Sequence, residues 1–358
     1  YPWGCVEQVT SSFVPDVVVK RAMDRLGLPV PDEARELPQM LRRGIRLLRD
    51  AQNGDGSWGW HGEGVADIGM TGYVLFALAE ARAAGADVPA DMVARGTAWL
   101  AEAVGRGVPP KPAARDWPKM GNWYRNQLES FAFGLAALSA NGAGDRTLFR
   151  DLWERQADLT DFALACLGMA AAQSGWSQEL TDVATALQGR KKTEAGFVFW
   201  SGSPDPFGWR APAATAMAMR VLRRAGRTSN QLEPVAAWLA RQRAGDNWSN
   251  TRETSLVILA LVEHMESLPT ASGSVEVLVN GRTAAAFELR RQDAFLPPRS
   301  LDVPGKSLRA GRNTVAIRVK GTGTAFWSGV LTFVDPSEDL PAAPGYFRVT
   351  RAFQRVRL

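Results

Sequence analysis

The spacing of apolar residues changes period once along this chain, and that change limits what the chain can fold into. Up to about residue 272 the spacing is helical. Leu128, Phe131, Leu135 and Leu138 recur at i, i+3, i+7 and i+10, and so do Ile68, Thr71, Leu75 and Leu78. Leu159, Phe162, Cys166 and Met169 repeat the pattern, and Ile258, Leu261 and Met265 repeat its start. After Pro269 the period becomes two. Val275, Val277 and Val279 alternate with Glu276, Leu278 and Asn280, and Val315, Ile317 and Val319 alternate with Ala316, Arg318 and Lys320. Asn280-Gly281 is a hairpin turn signal, and 325–334 is a further strand-rich run. The expectation is a mainly α chain followed by a β domain of six or seven strands in two small packed sheets.

The helical part is punctuated. Gly, Pro, Asn and Asp cluster at 53–56, 105–112, 141–142, 201–207 and 245–247. Three of these breakers carry tryptophan ahead of a helix: Trp58 and Trp60 before a helix from about Asp67, Trp200 and Trp209 before one from about Pro212, and Trp248 before one from about Thr251. This is a degenerate helix–turn–helix repeat of about 40–55 residues, with eleven or twelve helices in all. Such hairpins bury one stripe against the next, so the array stacks as a solenoid or closes into a ring. The loop tryptophans then plug the end of the ring or the gaps between hairpins.

Composition removes several classes. The chain has 358 residues, 46% of them hydrophobic and 22% charged, so it can bury a core. No apolar run is long enough to span a membrane. Two cysteines exclude a disulfide scaffold, and two distant histidines, His61 and His264, argue against a metal centre or a metal cofactor. The net charge is +5, and its excess is C-terminal: 13 Lys/Arg stand against 7 Asp/Glu from residue 273 onward. Those cations are dispersed among strands with no basic block, so neither a nucleic-acid partner nor a membrane surface is expected. Residue 1 is Tyr, and a strand started in 346–358 stops at the last residue, which is the pattern expected of a piece of something larger.

One segment carries chemistry: Tyr1-Pro2-Trp3-Gly4-Cys5-Val6-Glu7-Gln8. Cys5 stands where a helix begins, facing unpaired backbone N–H groups that favour a thiolate. Gln8 lies one turn on, with its carboxamide on the same face. A thiolate beside an amide carbonyl can attack it and expel ammonia, leaving an internal Cys5–Gln8 thioester. That bond is a stored acyl donor, and it lasts only while water is excluded. Candidate shields are Trp3, Met120, Trp123 and Tyr124, the last three in an apolar stretch, 116–124, read as a loop. The other reading of each is ring packing. Cys166 sits on a core stripe and reads as a small buried hydrophobe. Asn53-Gly54-Asp55-Gly56 has the look of a calcium loop, but Gly64 stands where an acidic ligand belongs, so it reads as a turn.

Gly4, Cys5, Val6, Glu7 and Gln8 match the Gly-Cys-x-Glu-Gln hallmark of the thioester-containing alpha-2-macroglobulin and complement family. With a bulky residue after Cys and an aromatic-Pro-aromatic lead, the segment most resembles the bacterial alpha-2-macroglobulins. The resemblance implies an α/α toroid of helical hairpins over 1–272 as the thioester domain. It implies a CUB-like β-sandwich portion over 273–335, then a linker and the first strand of a macroglobulin-like β domain over 336–358. It implies a single-turnover protease trap and not an enzyme: cleavage of a bait elsewhere uncovers the thioester, and a lysine amine of the protease takes the Gln8 acyl group. Glu7 orients the loop or caps the helix. The partners implied are target proteases and the neighbouring macroglobulin-like domains, in a bacterial periplasm or cell envelope. No cofactor is implied beyond the internal bond. Some complement members carry a histidine 110–120 residues further on that steers the acyl group to hydroxyls. Here 115–124 holds none, so amines are the expected acceptors.

Two other classes compete. Gln52 to Trp58 is similar to the Gln-Trp turns of terpene cyclases and prenyltransferases, and a ring-shaped glycan lyase would need a pair such as Tyr73 with His61. Both are enzymes with a central cavity, and the acidic cyclase motif and the zinc ligands are missing. The third class is a scaffold in which Cys5 never forms the bond.

Overall fold

The computed structural model describes residues 4–26, 35–62, 64–204, 208–244, 247–268, 272–290 and 299–322. Eleven helices occur among them. Six form an inner set: α1 (Val6–Leu26), α3 (Ile68–Ala83), α5 (Trp117–Ala140), α7 (Asp161–Ser174), α9 (Ala211–Arg224) and α11 (Thr251–Met265). Five alternate with them outside: α2 (Leu37–Asp50), α4 (Ala90–Gly105), α6 (Arg146–Glu154), α8 (Ser177–Arg190) and α10 (Ser229–Arg241). Each inner helix packs on the next, from α1 through α3, α5, α7 and α9 to α11, and α11 packs back on α1. The array therefore closes as a ring, which settles the choice between ring and solenoid.

Position in the ring explains the sequence patterns. An outer helix meets protein on one side only, and α2 accordingly buries the single stripe Leu37, Leu41, Gly44, Ile45 and Leu48. An inner helix meets protein all round, and α3 and α7 bury residues on every side. The stripe expected in α11 is displaced for that reason. Ile258, Leu261 and Met265 are only partly buried, while Leu256, Leu259, Ala260 and Val262 form the core. Side-chain caps start α3, α7 and α11: Asp67 accepts from Met70 N–H, Thr160 from Ala163 N–H and Asn250 from Glu253 N–H. The apolar segment 116–124 is the start of α5 and not a loop. Pro118 lies in the first turn of that helix, where its missing N–H costs nothing.

The tryptophan repeat has a structural cause. Trp58, Trp200 and Trp248 each donate the indole N–H to a carbonyl of the preceding outer helix: Leu48 at 2.7 Å, Leu187 at 2.8 Å and Leu239 at 2.6 Å. Each also donates its backbone N–H to a threonine hydroxyl of the following inner helix: Thr71 at 2.9 Å, Thr215 at 3.0 Å and Thr254 at 2.9 Å. Every such turn thus clamps one outer and one inner helix while burying an indole, a side chain whose truncation typically costs about 3–5 kcal/mol. Asn53 to Gly56 is a plain turn. Asp55 Oδ1 accepts from both the backbone N–H and the hydroxyl of Ser57, and Gly56 sits at φ 96°.

After the ring, β3 (Ser272–Val279), β4 (Arg282–Leu289) and β5 (Val315–Thr322) form one antiparallel sheet in the order β4-β3-β5. A small hairpin of β1 (Lys192–Glu194) and β2 (Phe197–Phe199) precedes α9. Asn280 (φ 51°) and Gly281 (φ 81°) make the expected hairpin turn. Strict alternation fails at a bulge between Val277 and Leu278, which buries Leu278 beside Val279. Three strands are described of the six or seven expected. The run 325–334 and all of 336–358 lie outside the described residues.

Asp16, one residue past Pro15 inside α1, is partly buried, and burial pushes its carboxyl up to about 6. Folding then favours the protonated form. Below the ordinary carboxylate value of 3.8 Asp16 costs nothing; the cost grows between there and about pH 6 and is then constant. An Asp16→Asn variant should therefore melt higher than the parent at pH 7.5 and alike at pH 3.5. Thermal melts at the two pH values check this, and an equal gain at both would rule it out.

Candidate functional site

Cys5 occupies the N-cap position of α1. Its carbonyl accepts the first helical bond from Val9 N–H at 3.0 Å, and the Val6 N–H, otherwise unpaired, donates to Trp60 O at 3.0 Å. Gln8 folds back, and its Oε1 accepts from Cys5 N–H at 3.3 Å. This is half of a capping box, with Cys where Ser or Thr usually stands. The same geometry brings the Gln8 carboxamide to the residue that bears the thiol. A Cβ at Gly4 would lie 3.4 Å from Gln8 Oε1, an ordinary contact that does not itself require glycine. Cys5 is half-buried and Gln8 is exposed, so the pair faces the surface.

Glu7 points the other way. Its Oε1 accepts from Ser11 Oγ at 2.7 Å and from Thr251 Oγ1, at the start of α11, at 3.1 Å. Ser11 Oγ lies 3.0 Å from the Tyr73 hydroxyl in α3, which lies 2.7 Å from Ser255 Oγ in α11. Burial pushes the Tyr73 phenol up to about 12, so it stays protonated. These contacts join the early turns of α1, α3 and α11. The inner helices therefore run parallel, with their N-termini at the Cys5 end.

The ring's interior is filled. Just inside the Cys5 end, Trp209 stacks on Phe162 at 4.3 Å and meets Tyr73 and Phe133 edge-on, with the Arg252 guanidinium 3.9 Å from the Trp209 ring. These residues come from α3, α5, α7, α11 and the turn before α9, so the plug lies on the axis. Towards the other end, Arg220 of α9 crosses the axis to Glu80 of α3 at 2.6 Å and pairs with Glu263 of α11 at 2.9 Å. Arg21 of α1 bonds Glu80 at 2.8 Å. Burial alone would raise the Glu263 carboxyl, but Arg220, with Arg224 and Arg21, outweighs it and holds Glu263 at about 2. The sequence reading missed this cluster, because single charges in helices look like a solvated face.

Among the described residues, aromatic and charged side chains occupy the axis where a toroidal enzyme would hold its cavity. A cavity of about 370 Å³ lies instead in the ring wall, lined by Ile68, Trp99 and Phe131. The hydroxyl of Tyr73 is engaged by two serines and His61 is exposed in its turn, so the lyase pair is not assembled. His264 is buried, with Nε2 3.3 Å from Glu233 Oε2. Cys166 is fully buried in α7, and burial pushes its thiol well up.

The candidate shields are scattered. Trp3 lies outside the described residues. Tyr124 is fully buried against Trp117, with ring centroids 6.0 Å apart, and reads as packing. Met120 and Trp123 are nearly half exposed on the first turns of α5. They precede Phe133, which meets Tyr73, by roughly 15–20 Å along the helix, so they project at the Cys5 end. The aromatic residue bonded to the site is Trp60, through its carbonyl, and its side chain is exposed as well.

Fold and site together define a closed α/α ring with a Cys-x-x-Gln pair at the N-terminus of its first inner helix. The chain is similar in sequence and in fold to alpha-2-macroglobulins. The chain is 27% identical over 309 residues to the alpha-2-macroglobulin of Thermotoga maritima, covering 86% of this chain and 16% of that protein. It is 22% identical over 266 residues to that of Escherichia coli K12, covering 73% and 15%. The chain thus spans about one sixth of the length of these curated relatives. Among solved structures it superposes on Salmonella alpha-2-macroglobulin reacted with methylamine, with a TM-score of 0.60 and 20% identity over 80% of this chain and 18% of that one. It superposes equally, at 0.60 and 20%, on the native Escherichia coli protein from its MG7 domain to the C-terminus, over 81% of this chain and 44% of that one. No protein-family model matches the chain. The resemblance to bacterial alpha-2-macroglobulins holds in sequence and in fold.

Proposed function

We propose that this chain is the thioester-bearing region of a bacterial protease trap of the alpha-2-macroglobulin type. In this reading residues 1–272 form the thioester domain, 273–335 part of a CUB-like domain and 336–358 the start of the next. The Cys5 thiol attacks the Gln8 carboxamide carbon, forming the thioester and releasing ammonia. A lysine amine of a protease later attacks the same carbon. It forms an amide with Gln8 and returns Cys5 as a thiol. Each chain acts once, so the protein is an inhibitor and not a turnover catalyst. The observation that carries this is the hydrogen bond from Cys5 N–H to Gln8 Oε1, which holds the carboxamide against the cysteine. The filled ring axis supports it against the toroidal enzymes. The exposed Trp60, Val65, Met120 and Trp123 at the same end suit burial under a neighbouring macroglobulin-like domain that keeps water out. No helix among the described residues is long and apolar enough to cross a membrane, and the cell envelope or periplasm is the compartment this function fits.

Intact mass of the freshly prepared full-length protein tests it. The mass should be lower by one ammonia, and methylamine should add one amine and free one thiol. A full mass with no methylamine uptake would leave the scaffold reading instead.

A further inference from the structure

The carboxylate of Glu7 receives two hydroxyl groups from different parts of the ring. Ser11 reaches it from its own helix at 2.7 Å, and Thr251 reaches it from α11, 244 residues along the chain, at 3.1 Å. Behind Ser11 stand Tyr73 and Ser255. Ser11, Tyr73 and Ser255 supply three protons for four contacts, the fourth being Ser255 Oγ to Arg252 O at 2.8 Å. With a carboxylate at the head, Ser11 must donate to Glu7. Ser255 donates to the Arg252 carbonyl, so the single Tyr73 proton goes to Ser11 or to Ser255, and the hydroxyls form one buried cluster behind the Ser11–Glu7 bond. Glu7 lies between Cys5 and Gln8 in sequence, within the single turn that must hold both reacting groups.

We infer that Glu7 is a positioning residue whose anchorage to Thr251 and to the Ser11–Tyr73–Ser255 hydroxyl cluster sets the geometry of the Cys5–Gln8 turn. The reactivity of the pair then depends on the seam where the last inner helix closes against the first. Thioester formation becomes a late event, since the thiol and the carboxamide are held for attack only once α11 has docked. This inference rests on the thioester reading above and goes beyond it by naming what aligns the pair and when.

The test uses the full-length protein and four variants: Glu7→Ala, Glu7→Gln, Thr251→Val and Tyr73→Phe. The readouts are the fraction of molecules lacking one ammonia, the rate of methylamine uptake and the melting temperature. Glu7→Ala and Thr251→Val should lower the thioester fraction or change the methylamine rate at least tenfold, while the melting temperature moves little, because both sites are partly exposed. Glu7→Gln keeps an acceptor oxygen and should restore most of the parent behaviour. Tyr73→Phe should shift the same readouts in the same direction by a smaller factor. The double variant Glu7→Ala/Thr251→Val should be no worse than Glu7→Ala alone. Parent-like thioester content and rate in Glu7→Ala and Thr251→Val, or losses that track the melting temperature in all variants, would overturn the inference. A parent protein with no thioester would instead sink the functional reading on which it rests.

Discussion

A Cys5→Ser variant of the full-length protein is expected to lose covalent capture completely while keeping its fold. Serine caps a helix at least as well as cysteine, and Val9 N–H bonds the backbone carbonyl of residue 5, which the substitution leaves in place. The chemistry has no such substitute. A serine hydroxyl without an adjacent base is a poor nucleophile towards an amide, and an oxygen ester is a weaker acyl donor to amines than a thioester. The variant should show full mass, no methylamine uptake and no denaturant-resistant adducts with trypsin-like proteases. Its melting temperature should stay within about 2 °C of the parent, as for other conservative surface changes. A Gln8→Glu variant should behave alike, since it keeps the acceptor for Cys5 N–H but offers a carboxylate that the thiolate does not attack. Adducts that persist in Cys5→Ser would show that the protein holds its targets by other means.

The largest effect on stability is expected at the opposite end of the ring, from Arg220→Met. Arg220 is fully buried and bonds both Glu80 and Glu263 across the axis. Burial by itself would lower its pKa, and the two carboxylates outweigh that and raise it. Removing the guanidinium leaves two buried carboxylates with fewer partners, a change that typically costs about 3–5 kcal/mol. For a ring of this size that is a fall of about 10 °C or more in melting temperature. The pH dependence identifies the cause. In the parent, the depressed Glu263 contributes stability above the ordinary carboxylate value of 4.5, and that is lost as pH falls towards 2. In Arg220→Met the same carboxylate is penalised by burial, so acid relieves the cost. The gap between variant and parent should be widest at pH 7 and should narrow by pH 4. A gap of equal size at both values would mean that Arg220 acts through packing, for instance against the Phe76 ring 5.4 Å away.

Much of the fold was legible because it repeats. Helical spacing, breakers and tryptophan turns recur locally, and the helix starts near Asp67 and Thr251 need no distant information. What could not be read was which helices lie inside. Ile258, Leu261 and Met265 make a good amphipathic stripe, yet α11 buries a different set, because an inner helix has no single face. The Thr71, Thr215 and Thr254 partners of the tryptophans stand 13, 15 and 6 residues downstream, so no fixed spacing discloses them.

The candidate site divides in the same way. Gly4, Cys5 and Gln8 lie within five residues, and a capping box is a local motif, so the chain alone determined that a thiol and a carboxamide would share one helical turn. Only the tertiary structure decided what surrounds them. Thr251 reaches Glu7 across 244 residues, Trp60 anchors the first N–H of α1, and Arg220 bridges helices on opposite sides of the ring. A helix sets its own start and the chemistry of one turn through near-neighbour geometry. Its partners across the axis are set by closure of the ring, which depends on the whole chain at once and leaves no periodic trace in any one segment.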